Sequence, residues 1–395
     1  MPVRPFGIGA LPAGFFNDGR RRIWSAAAEH GLFVIAPLAV SVLVLHQAVA
    51  AHAFAVDFSH GPWIAGGRVL AGLTPYADQH SAVVRDGSAF VYPAVGAVFS
   101  VPFSLLPQVP ASILFAVLCT GAVIMTLRWF GVRDWKVCGA VFLWPAVTSG
   151  LQTANLTLVL VFGVAAAWRY RDRALVTGAL IALLVSIKLF VWPLAFWLLA
   201  TRRYRAFAWC ALSALALNLV AWAIVGFDQI SRYLRLMHAV TRFVNHQGYG
   251  VMTLAGGNSS PVAYAIALAL ASILIGLAMK FGRRQERSAF ALCTLACLVA
   301  SPLVWLHYFS LLMVPLALAR PRISAWWLLP VLLWFPITAP SLWQVTVVLI
   351  VAGSVTSLAL QTPETRRRVS FRRAAGEGVA SDGSSTSAPG SIALP

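Results

Sequence analysis

Between residues 32 and 360 the chain alternates apolar runs with short clusters of arginine and lysine, and little else in it carries charge. Twelve runs can be marked: 32–56, 110–127, 137–148, 153–168, 174–187, 189–200, 204–226, 261–279, 288–300, 303–319, 323–335 and 341–360. A membrane-crossing helix needs roughly 20 apolar residues, and fewer where neighbouring helices cover it. Of the 30 Lys and Arg, 24 fall in seven clusters: Arg4 with residues 20–22, then 128–136, 169–173, 202–205, 280–287, 320–322 and 366–373. Placing every cluster in the cytoplasm satisfies the bias of basic loops toward that side. Twelve crossings then fit, an even number between clusters, with both termini inside.

Composition excludes the alternatives. The chain is 59% hydrophobic and 11% charged, with a mean hydropathy of +0.79. A soluble domain carries roughly 25% charged residues. The +18 net charge would suit a nucleic-acid partner, but its place in short loops between apolar runs assigns it to topology instead. The expected fold class is therefore all-α, a multi-pass transmembrane helical bundle of about twelve spans, with membrane lipid around it and no nucleic acid as partner. It comprises a basic arm over residues 1–30, the membrane domain over 31–360 and a disordered tail over 361–395.

One apolar stretch fails the charge rule. "VYPAVGAVFSVPFSLLP", from Val91, would invert every later loop if it crossed. It is short and holds three prolines, so it is read as an interfacial or re-entrant helix on the outer face. Two long outer loops follow from this map, about 57–109 and 227–260; the other outer connections are tight turns, "ITAPS" from Ile337 among them. Nearly all polar residues outside the basic clusters lie on this face.

No cleavable leader, phosphate-binding Gly-rich loop or internal repeat is apparent, and the five cysteines sit in apolar runs as small core residues. The isolated ionisable residues carry the chemistry. Asp57 stands where the first run meets the outer interface, ahead of a segment with Trp63, Ile64, Val69 and Leu70 on one side and Arg68 on the other. That segment would lie in the interface and roof the acid. Lys188 is the single charge between Ala174 and Thr201. A lysine at such a place costs roughly 2.5–3.5 kcal/mol on insertion scales unless paired or wet. It either snorkels to water or binds an anionic headgroup. His307, one turn into a run, is either a packed histidine or a partner for a carboxylate. In the second loop, Arg232, Arg235 and Arg242 follow Asp228, a candidate cap; Arg232 and Arg235 share a face, and the helix is either a lipid-headgroup contact, with Tyr233 and Met237 toward lipid, or a solvated helix.

The order of segments also carries a resemblance. Asp57-Phe58 is followed by "GLTPY", the Val91 segment, "GLQTANLTLVLVFG", "GALIALLVSIKLFVWP" and "SPLVWLHYFSLLMVP". This series resembles the polyprenol-phosphate-mannose-dependent mannosyltransferases of glycosyltransferase family 87, across roughly residues 30–320. The resemblance implies the GT-C type of bundle, with juxtamembrane helices on the outer face of the cytoplasmic membrane. It implies an inverting transfer of a sugar, most often mannose, from a polyprenyl-phosphate donor to a glycolipid or glycan acceptor. Asp57 would be the general base with His307 beside it. Lys188 and Arg68 would bind the donor phosphate, and Tyr76, Tyr92, Gln152, Asn155, Trp305 and Asn245 would meet substrate. No cofactor and no metal is implied. "GLQTAN" differs from the family's Gly-Gln-x-Asn turn by an inserted Leu, and "NHQGYG" stands where an Asn-Gln-Ser motif often occurs. The competing reading is a transporter or flippase for a lipid-linked or anionic solute; it would place its polar residues at mid-membrane.

Overall fold

The computed structural model describes residues 25–282, 284–335 and 341–361. The expectations for the N-terminal arm before residue 25, the turn at 337–340 and the tail after 361 lie outside the described residues. Within them, all twelve apolar runs become helix, and none becomes strand.

Four helices are long and apolar enough to cross a membrane: α1 (Ser25–Ala50), α4 (Gln108–Trp129), α10 (Tyr204–Val225) and α12 (Pro261–Phe281). Their outward faces expose Leu, Ile and Val, as lipid contact requires. The rest are shorter. They comprise α2 (Ile64–Leu70), α3 (Ala94–Ser104), α5 (Trp135–Phe142), α6 (Pro145–Gln152), α7 (Leu156–Arg169), α8 (Ala174–Ile187), α9 (Leu194–Ala200), α11 (Gln229–Phe243), α13 (Glu286–Ala300), α14 (Met313–Ala319) and α15 (Leu342–Gln361). Run 323–335 forms two tight 3₁₀ segments, Ala325–Trp327 and Leu329–Trp334. The Val91 segment yields α3, which at 11 residues spans about 16 Å, half a bilayer core.

Sequence explains the starts and breaks. Asn155 accepts a hydrogen bond from Thr157 N (2.9 Å) and so caps α7. Ser260 caps α12, with Pro261 at its first position. Asp134 caps α5 through Lys136 N at 3.1 Å. Proline separates α5 from α6 (Pro145), precedes α9 (Pro193) and follows α13 (Pro302). Close packing uses small residues. Ala263, Ala267, Ala271 and Ala278 are fully buried on α12. A Cβ on Gly178 of α8 would sit 2.8 Å from Cys210 N of α10.

The breaks concentrate at one end of the bundle. Backbone that leaves helical form inside a membrane protein must be covered by protein or line a cavity. α6 stops at Gln152 and α7 starts at Leu156; α8 stops at Ile187; α13 stops at Ala300 and helical turns resume at Leu306. At the other end of α7 and α8 three basic clusters meet. Arg203 bonds the Arg171 carbonyl (2.9 Å), Asp172 (3.2 Å) and Glu286 (2.6 Å). The α7–α8 hairpin therefore has an arginine end and a broken-helix end, separated by about 21 Å of helix.

The helix of the second outer loop departs from expectation. Asp228 is itself helical and gives no side-chain cap to α11. Tyr233 is buried rather than turned to lipid, packed on Tyr76 and Trp222 with ring centroids 5.0 and 5.9 Å away, and Met237 packs against the same cluster. The loop before α3 supplies an aromatic surface that this face covers.

Candidate active site

The broken helix ends bring the acid and the lysine into one network, buried at Lys188, Thr157 and Asn155 and half-buried at Asp57. Asn155 Nδ2 donates to Asp57 Oδ2 at 2.8 Å. Asn155 Oδ1 accepts from the Thr157 hydroxyl at 2.7 Å, and the Thr157 oxygen accepts from Lys188 Nζ at 2.9 Å. Every bond in this chain runs one way, from ammonium through hydroxyl and amide to carboxylate. No ion pair joins Asp57 to Lys188 directly among the described residues; two neutral side chains stand between them.

Local backbone explains how the chain reaches this arrangement. Ala55 and Ala154 both take left-handed conformations, φ 55° and 50°, which alanine rarely adopts. Each lies within two residues of a network member. Ala55 N donates to the Gln152 carbonyl at 2.8 Å, which ties the Asp57 turn to the end of α6. Asn155 N closes the "GLQTAN" turn on the Gly150 carbonyl at 2.8 Å. The inserted Leu is thus accommodated: Asn155 reaches the acid while Gln152 contributes its backbone. Strained residues of this kind persist where surrounding structure fixes them, and they gather at functional sites.

Lys188 sits in extended conformation between α8 and the 3₁₀ turn Leu189–Val191, and is 5% exposed. It does not snorkel to water. Its Nζ lies 4.1 Å from the ring centroid of Tyr308, 5.1 Å from Tyr92 and 5.5 Å from Phe190. A desolvated cation over an aromatic face gains about 2 kcal/mol, and a hydrogen bond to a charged group about 1.5–3 kcal/mol. Together these are of the size of the burial cost, so the lysine is tolerated without a carboxylate in contact. Its ammonium has three donors, and Thr157 occupies one.

Tyr92 reaches this cage because Gly96 lets α3 approach the end of α8. A Cβ there would fall 2.9 Å from Tyr92 Cβ and 3.2 Å from the Ile187 carbonyl. Tyr76 stands behind Tyr92, fully buried, and donates to its carbonyl at 3.4 Å. Burial, then the neighbouring Tyr233, pushes the Tyr76 hydroxyl well above the usual tyrosine range, so it remains a neutral donor.

The remaining candidates lie further out. His307 is buried against Tyr308, with ring centroids 5.0 Å apart and, among the described residues, no hydrogen-bond partner for Nε2. Among the described residues no hydrogen bond joins it to Asp57. Arg68 Nε donates to the Thr74 carbonyl at 2.5 Å, which shapes the loop between α2 and α3. Asn245 accepts from Ser259 N and Oγ (2.6 and 2.5 Å) and holds the second loop closed. That loop is pinned by Tyr249 N to the Val304 carbonyl at 2.7 Å, beside the half-buried Trp305. Thr157, Phe190 and Tyr308 are site residues that sequence reasoning passed over. The signal for Thr157 was present: it is a hydroxyl one step inside an apolar run, two residues after a capping Asn.

The family model for glycosyltransferase family 87 matches residues 90–305, more than half of the chain. The matched stretch holds Tyr92, Asn155, Thr157 and Lys188; Asp57 lies outside it and joins it through Asn155. No curated protein and no solved structure matches. The chain is thus a membrane glycosyltransferase, and it belongs to glycosyltransferase family 87.

Proposed function

We propose that this protein transfers mannose from a polyprenyl-phosphate donor to a lipid-linked or glycan acceptor at the outer face of the cytoplasmic membrane. The observation that carries the proposal is the separated pair: one half-buried carboxylate and one buried ammonium, held apart at the ends of a hydrogen-bonded chain.

The separation suits the reaction. Asp57 takes the proton of the acceptor hydroxyl, and that oxygen bonds the anomeric carbon. The bond from that carbon to the phosphate oxygen breaks, and its electron pair leaves with polyprenyl phosphate. The remaining Lys188 donors offset the charge that develops on the phosphate. Base and phosphate ligand act on opposite sides of the reacting carbon, so the configuration inverts, from a β-linked donor to an α-linked product. A direct Asp57–Lys188 contact would occupy both groups. Asn155 and Thr157 hold Asp57 and Lys188 apart. Among the described residues His307 has no hydrogen bond to Asp57; its ring lies 5.0 Å from that of Tyr308, which also meets Lys188.

The test is transfer itself. Purified protein in liposomes, given radiolabelled polyprenyl-phosphate mannose and extracted lipids, should yield a labelled glycolipid; transport of the donor with no new glycolipid would favour the transporter. Single cysteines test the face. Asp86→Cys and Gln247→Cys, both exposed, should label from outside with an impermeant reagent, and Arg133→Cys should not. Labelling of Arg133→Cys from outside would invert the topology.

A further inference from the structure

The opposite end of the α7–α8 hairpin contains a cavity of about 340 Å³ lined by Arg171, Asp172, Arg202, Arg203, Tyr204 and Arg205. We propose that it binds the phosphate headgroup of an anionic phospholipid, with Arg202 and Arg205 as its ligands.

The arginines divide into two kinds. Arg203 is a scaffold residue: its Nε donates to the Arg171 carbonyl, and its two terminal nitrogens bond Glu286 and Asp172. Arg171 reaches Glu286 at 3.6 Å and lies over the Trp168 ring at 4.7 Å. These two arginines are matched by the two carboxylates. Arg202 and Arg205 are exposed and pair with no acid among the described residues, so the cavity keeps an excess of positive charge. The backbone at Arg202 is left-handed, φ 57°, in a turn closed by Arg202 N to Leu199 O (2.9 Å) and Arg203 N to Leu198 O (2.7 Å). A non-glycine residue holds that conformation at a cost.

The surroundings select a lipid over a free anion. Tyr204, at the cavity lip, is 61% exposed. Arg205, Trp209 and Leu212 fall on one face of α10 by their spacing of four and three, and both apolar members are exposed. Leu175, at the start of α8, is exposed as well. An apolar flank running from a guanidinium pair fits acyl chains below a phosphate. Aromatic rings at headgroup level and basic pockets between helices are the usual elements of such recognition. Guanidinium pairs also hold phosphate oxygens in bidentate fashion, which lysine does not.

The test is lipid retention by the full chain. Native mass spectrometry after exchange into mixed phosphatidylglycerol and phosphatidylcholine should show preferential retention of the anionic lipid. Arg202→Gln combined with Arg205→Gln should weaken that preference on the order of tenfold. Arg320→Gln with Arg322→Gln, exposed arginines elsewhere, should leave it intact. Both variants should melt with the parent protein. Equal loss in the control, or full preference in the cavity variant, would overturn the proposal. Inorganic phosphate at millimolar concentration should fail to displace the lipid; ready displacement would show that the site takes phosphate without a tail, and would overturn it too.

Discussion

The two ends of the α7–α8 hairpin treat charge in opposite ways. At the arginine end, Arg203 has each guanidinium nitrogen bonded and faces two carboxylates at 2.6 and 3.2 Å. At the other end, the Lys188 ammonium has one hydrogen bond among the described residues, three aromatic rings and a carboxylate kept at two removes. The partners of Arg203 neutralise its charge and leave that residue little capacity for a ligand, which at this end falls to Arg202 and Arg205. The lysine end keeps donors on the lysine and basicity on the acid. A buried charge that is tolerated without being neutralised is one available for chemistry, and under the proposed function this contrast is between a structural cluster and a working one.

Changes at the two ends should therefore differ in kind. The largest effect is expected at Asp57. Asp57→Asn keeps shape and removes basicity, and loss of a positioned base lowers turnover by about 10²–10⁴-fold. Asp57→Glu should recover little, since the extra methylene moves the carboxylate off Asn155. Next is Lys188→Met, which should appear mainly as weaker donor binding, with Lys188→Arg retaining part of it. Full donor affinity in Lys188→Met would reduce the lysine to a structural cation.

Thr157 sharpens the comparison because it occupies the middle of the relay. Thr157→Val is close in size, removes both hydrogen bonds and should cost roughly 10–100-fold in transfer. Thr157→Ser, which keeps the hydroxyl, should restore most of it. In a Lys188→Met background Thr157→Val should add little, since groups that act as a unit are not additive. Equal losses in Val and Ser would mean that packing, not the hydroxyl, matters. The smallest effect on catalysis is expected at the arginine end. Glu286→Gln should lower stability by about 1 kcal/mol, since the pair is partly exposed, with side-chain exposures of 22% and 25%. Turnover should stay within a few-fold of the parent. A large kinetic loss there would erase the distinction between the two ends.

The sequence made the bundle legible because apolar length and arginine spacing are one-dimensional signals. It also singled out Asp57 and Lys188, since an isolated charge beside an apolar run is conspicuous. Partners that depend on three dimensions were not legible. Phe190 and Tyr308 look like ordinary apolar neighbours until helix breaks turn them onto the lysine. The left-handed backbone at Ala55 and Ala154 has no sequence signature, because alanine does not announce it as glycine would. The amphipathic pattern around Tyr233 shows that one face of the helix is apolar, not what covers it. Asp228 looked like a cap, but the helix begins before the side chain can act as one.

Donor binding and turnover measured on the same purified Asp57→Asn and Lys188→Met proteins test the central claim most directly. The account assigns the two charges to different sides of the bond that breaks. It predicts that Asp57→Asn binds polyprenyl-phosphate mannose about as tightly as the parent and barely turns it over. It predicts that Lys188→Met loses donor affinity. Near-normal turnover by Asp57→Asn, or the same loss of donor binding in both proteins, would contradict it.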